Sequence, residues 1–125
     1  MLDTRVLLFA LVKPDRLGLK RILAIRSRYN EVFYSSASIW ELALGNETHK
    51  IIFPFAPGAV AEAAAKTGFV ELPVRSDAAA LTATLPPHHY DLFDRILIAQ
   101  AMTEPARFLT TDPELTRYSN LVEIV

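Results

Sequence analysis

At 125 residues, with 51% hydrophobic and 22% charged residues, the chain has the composition of one globular domain and not of a disordered segment. The absence of cysteine excludes disulfides, thiolate zinc sites and cysteine nucleophiles, and it fits a reducing compartment. A net charge of −1 offers no global attraction to a polyanion, so a nucleic-acid partner would have to be held by local basic patches or by a metal. The apolar run at residues 6–12 is too short to span a bilayer and follows Asp3 rather than a basic segment. A cytoplasmic protein without a membrane anchor is expected.

In chain order, residues 1–3 read as the end of a very short strand, short enough that the start could be truncated, and residues 4–12 continue as a helix. Lys13-Pro14-Asp15 breaks it. Residues 17–29 form an amphipathic helix with Leu19, Ile22, Ile25 and Tyr29 on one side. Six of the 13 basic residues fall at Lys13, Arg16, Lys20, Arg21, Arg26 and Arg28, either a solvated helix face or a patch facing nucleic acid. Residues 32–35 read as a buried strand, and Ser36-Ala37-Ser38 opens a helix in which Ser38 and Glu41 have capping-box spacing. Gly45-Asn46 ends that helix, residues 47–55 are irregular, and Pro54 and Pro57 bracket a turn. Alanine-rich residues 59–66 form a helix closed by Gly68, residues 69–74 a strand, and residues 77–84 a helix.

The stretch from Leu85 to Ala101 is the most informative. Pro86 and Pro87 stop what precedes them, Asp91 stands at a helix N-cap, and Asp94 falls in the first turn. Phe93, Ile96, Leu97 and Ala101 then recur at helical spacing, with Ile98 at the edge of the stripe. Asp94 shares a face with Leu97, Ile98 and Ala101, so its carboxylate points toward the protein, a costly placement unless a cation or donors meet it. Residues 108–110 form a short strand, Asp112-Pro113 starts a helix, and residues 121–125 close with a strand. Alternating strands and helices, with neither repeat nor linker, predict a parallel sheet covered by helices on both faces.

Asp3, Glu41, Asp94 and Asp112 share a position in this plan: each begins or enters a helix, and three closely follow a strand. Taken singly, acids at helix starts are ordinary caps and dipole partners. That reading leaves unexplained why Asp3 is embedded in apolar sequence and why Asp94 heads an inward stripe. In an open parallel sheet ligands bind at the carboxyl ends of the strands. Four carboxylates without cysteine suit a hard divalent cation, and two such ions can drive phosphodiester cleavage.

At these residues the chain resembles a family. Leu2-Asp3-Thr4, Ser38-Ile39-Trp40-Glu41, the run from His88 to Arg95 with Ile98-Ala99-Gln100-Ala101, and Thr110-Thr111-Asp112 look like the successive motifs of the PIN domain, nearest to the VapC-like toxins of bacterial toxin–antitoxin pairs. The resemblance implies a single domain over residues 1–125, a three-layer α/β/α sandwich around a mainly parallel sheet, and a magnesium- or manganese-dependent endoribonuclease. It makes Asp3, Glu41, Asp94 and Asp112 the metal-binding catalytic acids, Thr110 a supporting hydroxyl and Asp91 an accessory carboxylate or cap. It further implies an RNA substrate, a homodimer and a cognate antitoxin whose C-terminal segment covers the site. Two departures stand out: Arg5 occupies a position where histidine is common, and residues 45–52 replace the usual helix ending and glycine-lysine turn. They motivate the competing expectation, a non-catalytic module that keeps the PIN scaffold.

Other signals point less far. His88-His89 has no third nitrogen or sulfur ligand at useful spacing for a transition metal and reads as loop. Arg95 would either contact phosphate or form a salt bridge, while Trp40 and Phe93 read as core. No nucleophile elbow or phosphate-cradling glycine loop is present. A phosphoacceptor receiver domain would resemble this plan but wants a late lysine, and the last lysine here is Lys66. An Asp-x-Asp phosphatase fails because residue 5 is arginine.

Overall fold

The computed structural model describes residues 1–45, 56–88 and 91–125. The irregular stretch expected at residues 47–55, and Asn46, His89 and Tyr90, lie outside them. Helix α1 (Thr4–Val12) leads through a 3-10 turn (Pro14–Leu17) into α2 (Leu19–Arg26), followed by strand β1 (Phe33–Ser35) and α3 (Ser36–Leu44). Next come α4 (Pro57–Thr67), β2 (Val70–Leu72), α5 (Ser76–Leu81) with a 3-10 turn, and α6 (Leu92–Thr103). Strand β3 (Phe108–Thr110), a 3-10 turn (Pro113–Arg117) and β4 (Val122–Ile124) complete the described order.

The expected α/β class is what forms. Strand β1 pairs with β2 and β3 with β4, both in parallel, Phe33 opposite Val70 and Phe108 opposite Val122. Residues 1–3 join the two ladders: Leu2 N donates to Phe33 O (2.9 Å), Asp3 N to Leu109 O (3.0 Å), and Leu109 N to Met1 O (2.9 Å). Asp3, Ser35 and Thr110 therefore end three adjacent strands at one edge of the sheet.

Alternation along these strands divides the core into two layers, as the period of a pleated strand requires. Met1, Phe33 and Phe108 face a core built with Phe93, Leu97 and Ile98 of α6 and Ala78 of α5. Leu2, Tyr34 and Leu109 face the other, built with Val6, Leu7 and Leu8 of α1 and Val60 and Ala64 of α4. Helix α3 straddles the two, with Ala37 in the first core and Ile39 and Leu42 against the second.

Several local expectations are revised. The helix anticipated at residues 17–29 begins only at Leu19, because Gly18 takes φ +76° between the 3-10 turn and α2. It ends at Arg26, leaving Tyr29 88% exposed and Leu19 71% exposed. Only Ile22 and Ile25 of the expected stripe pack inward. Helix α3 is capped not by the Ser38–Glu41 pair but by Ser35, whose hydroxyl accepts from Ala37 N at 2.9 Å. The second strand is shorter than expected, and the helix expected at 77–84 splits into α5 and a 3-10 turn. The helix after Asp112 is a five-residue 3-10 turn. In α6 Ile98 is buried like Leu97, and Ala99 and Gln100 are buried with them, so the apolar stripe widens toward an enclosed helix.

Candidate functional site

Asp3 is the best-defined member of the acidic set. It ends the central stretch and caps α1, its Oδ1 accepting from Val6 N at 2.7 Å. The side chain is only 7% exposed. Burial pushes its carboxyl above the ordinary carboxylate range, and the Thr110 hydroxyl, the Val6 and Thr111 amides and the Arg5 charge offset this only in part.

Glu41, also buried, accepts from Thr4 Oγ1 at 2.5 Å, and that hydroxyl lies 2.9 Å from Ser38 Oγ. The residue following Asp3 thus holds Glu41 across two helices. Thr110, fully buried at the end of β3, gives its hydroxyl to Asp3 and accepts from Asp112 N at 3.1 Å. Asp112 caps the following 3-10 turn by accepting from Glu114 N at 2.9 Å. Asp3 and Asp112 are linked through Thr110, and Glu41 joins them through Thr4. The sequence marks Thr110 as a supporting hydroxyl, but gives Thr4 only a motif position and Ser38 only a motif position and a cap. A hydroxyl beside a buried acid was the available signal.

Asp91 caps α6, its Oδ1 accepting from Phe93 N (2.9 Å) and Asp94 N (3.2 Å), and Asp94 is half-buried in the first turn. Phe93 and Trp40 meet edge-on, ring centroids 5.3 Å apart, so the residues preceding Asp94 and Glu41 touch. Phe93 is core as expected, but Trp40 is not: it stands 61% exposed. The Arg95 guanidinium donates to the carbonyls of Pro86 (3.0 Å), Thr82 (2.9 Å) and Leu85 (3.2 Å), tying down the chain ahead of α6.

Every side-chain donor in this set is an oxygen, which fits a hard divalent ion and not a zinc or copper site. Among the described residues no three carboxylate or imidazole side chains are assembled into a ready metal-holding group. A cavity of about 600 Å³, floored by Leu17, Ile22, Val32 and Phe69, lies at the opposite end of the strands. The acids instead gather at the carboxyl ends of the strands, Asp3 and Glu41 buried and Asp94 and Asp112 half-buried.

A family model described as PIN domain matches residues 1–121, and the chain belongs to that family. PIN domains are commonly nucleases, a hydrolase class that generally uses divalent metal ions. No curated protein matches the chain. No described helix is long and apolar enough to cross a membrane.

Proposed function

We propose that this protein is a magnesium- or manganese-dependent endoribonuclease, the toxin of a bacterial toxin–antitoxin pair acting in the cytoplasm. One observation carries the proposal: a buried Asp3 carboxylate at the end of the central strand, joined to Asp112 through Thr110 and flanked by Thr4-bound Glu41. Asp3, Glu41, Asp94 and Asp112 would hold the metal. When bound, it supplies Lewis acidity, a lowered pKa for water and charge stabilisation of the leaving oxygen. The protein's own part is orientation. Thr110 fixes Asp3 and the turn carrying Asp112, Thr4 fixes Glu41, and Asp91 starts α6 so that Asp94 opens it. Hydrolysis would leave a 5′-phosphate and a free 3′-hydroxyl.

Exposed apolar side chains support the partner proposals. Leu19, Leu23, Trp40, Leu44 and Leu92 all lie open on helices, surfaces that a second copy and a cognate antitoxin would cover. Basic residues around α2 favour an antitoxin segment that is acidic as well as apolar.

Asp94→Asn should abolish cleavage of RNA by purified, antitoxin-free protein while leaving the circular dichroism spectrum unchanged. Cleavage at the wild-type rate would refute the assignment. Magnesium should also raise the thermal midpoint, since a ligand confined to the folded state stabilises it by about 2.7 kcal/mol at 100 times its Kd. An unchanged midpoint at millimolar magnesium would argue against a site present in the folded protein.

A second reading, a non-catalytic module on the PIN scaffold, is favoured by the lack of a ready metal-holding group among the described residues. It requires that no cellular RNA pool be cut in the presence of magnesium. Cleavage lost with EDTA and restored by magnesium or manganese decides against it.

A further inference from the structure

Gln100 is a polar side chain in the middle of an apolar helix, 4% exposed. Its Nε2 donates to the carbonyls of Leu72 and Pro73, both at 3.3 Å, the last residue of β2 and the one after it. Two carbonyl partners place the amide nitrogen on that side. Oε1 therefore faces Ser35, whose hydroxyl donates to it at 2.5 Å. Ser35 is itself fully buried and accepts from Ala37 N at 2.9 Å as the cap of α3. One amide thus ties together the end of β1, the start of α3, the end of β2 and the body of α6, with both of its polar ends satisfied.

The placement relative to the acids gives this junction its meaning. Ser35 lies six residues before Glu41 on α3, and Gln100 six residues after Asp94 on α6. At 1.5 Å per residue, each is about 9 Å along its helix from the acid. These helices also meet where Trp40 touches Phe93, the residues immediately preceding Glu41 and Asp94. Two separated contacts fix both the slide and the angle of one helix against the other, which a single contact cannot do.

We propose that Ser35 and Gln100 are positioning residues that set the Glu41 carboxylate against the Asp94 carboxylate; this rests on the nuclease reading above. Neither touches substrate. Both act by holding the helix pair in the alignment at which two acids can share a cation. A site held 1 Å out of place can lose about 100-fold in rate, so an effect of that order is available to residues remote from the chemistry.

The test compares wild type, Gln100→Leu, Ser35→Ala and Val60→Ala in magnesium-dependent cleavage of a fluorescent single-stranded RNA. Rates are expressed per folded molecule, with the folded fraction taken from circular dichroism. Val60, buried on α4 in the core layer that α6 does not enter, is the control for lost stability alone. Gln100→Leu is expected to lower kcat at least about 10-fold. KM for RNA should stay near wild type, and the rise in thermal midpoint produced by magnesium should shrink. Val60→Ala should lower the midpoint while keeping kcat and the magnesium response. Gln100→Glu adds a pH signature. Its neutral acid can donate to a carbonyl and its carboxylate cannot, so its activity relative to wild type should fall as pH rises.

Wild-type kcat and magnesium response in Gln100→Leu would overturn the positioning role while leaving the nuclease reading intact. Losses in Val60→Ala equal to those in Gln100→Leu would overturn it too. Should Gln100→Leu fail to fold, Ser35→Ala carries the same expectations and the same refutation. Absence of cleavage by wild type would instead remove the nuclease reading, and this inference with it.

Discussion

Asp3→Asn should lower metal-dependent RNA cleavage by on the order of 10³-fold, several kcal/mol of lost charge stabilisation. The same change should raise the thermal midpoint of the metal-free protein at pH 7. The two effects have one cause. Burial raises the Asp3 pKa, so the folded state favours the neutral acid more than the unfolded chain does. Stability contributed through this group is therefore fullest below its unfolded value, about 3.9, and is lost as pH rises through the folded value. Asparagine is neutral throughout and its side-chain oxygen still accepts from Val6 N. The stability difference between variant and wild type should accordingly be positive at pH 7 and close toward pH 4. Magnesium should narrow it as well, by stabilising wild type alone. A metal-free variant less stable than wild type at pH 7 would mean that the carboxylate is adequately paired, and the reason for expecting a cation there would disappear.

Phe108→Ala is expected to cost about 3–5 kcal/mol, the range for removing a fully buried phenylalanine. Phe108 is 0% exposed and sits in the core with Met1, Phe93, Leu97, Ile98 and Leu115. Against a typical total of about 5–15 kcal/mol this is a large share, and the thermal midpoint should fall by roughly 10–20 °C. Strand β3 is three residues long, with Phe108 at one end and Thr110 at the other. Loosening the ring should therefore loosen the hydroxyl that holds Asp3. Urea unfolding followed by circular dichroism gives the measurement, with an unchanged m-value confirming that the native state is compared. A cost below about 1 kcal/mol would show that the layer between β3 and α6 is not the core it is taken to be.

The elements most legible in the sequence were those whose signals are local. Asp91 before an apolar stripe, Gly68 after an alanine-rich run and Asp112-Pro113 after a short strand each specify a boundary within four residues, and each boundary forms where expected. Signals with two local solutions misled. Ser35, Ser36 and Ser38 can all cap a helix, and strand length decides among them: β1 stops at Ser35, so Ser35 caps and Ser38 lies within the first turns. Trp40 and Tyr29 have the composition of core but the position of surface, because burial depends on which neighbouring element arrives, and periodicity is silent on that. The site shows the same division. Thr110 follows a strand and could be named, whereas Thr4–Glu41 and Ser35–Gln100 join residues 37 and 65 apart in sequence. The readable trace of Gln100 was an amide standing among residues that otherwise all belong inside.

The central ladder has a consequence for biosynthesis. Residues 1–3 obtain their second partner only from residues 107–110, so this pairing spans nearly the whole sequence and has a high contact order. While the chain is emerging from the ribosome, Asp3 can cap α1 but has no Thr110 hydroxyl, and the turn bearing Asp112 does not yet exist. The nascent polypeptide has no complete acidic edge until residues 110–112 have emerged. A nuclease built on this plan would thereby become competent only after its last site segment, residues 110–112, has been made.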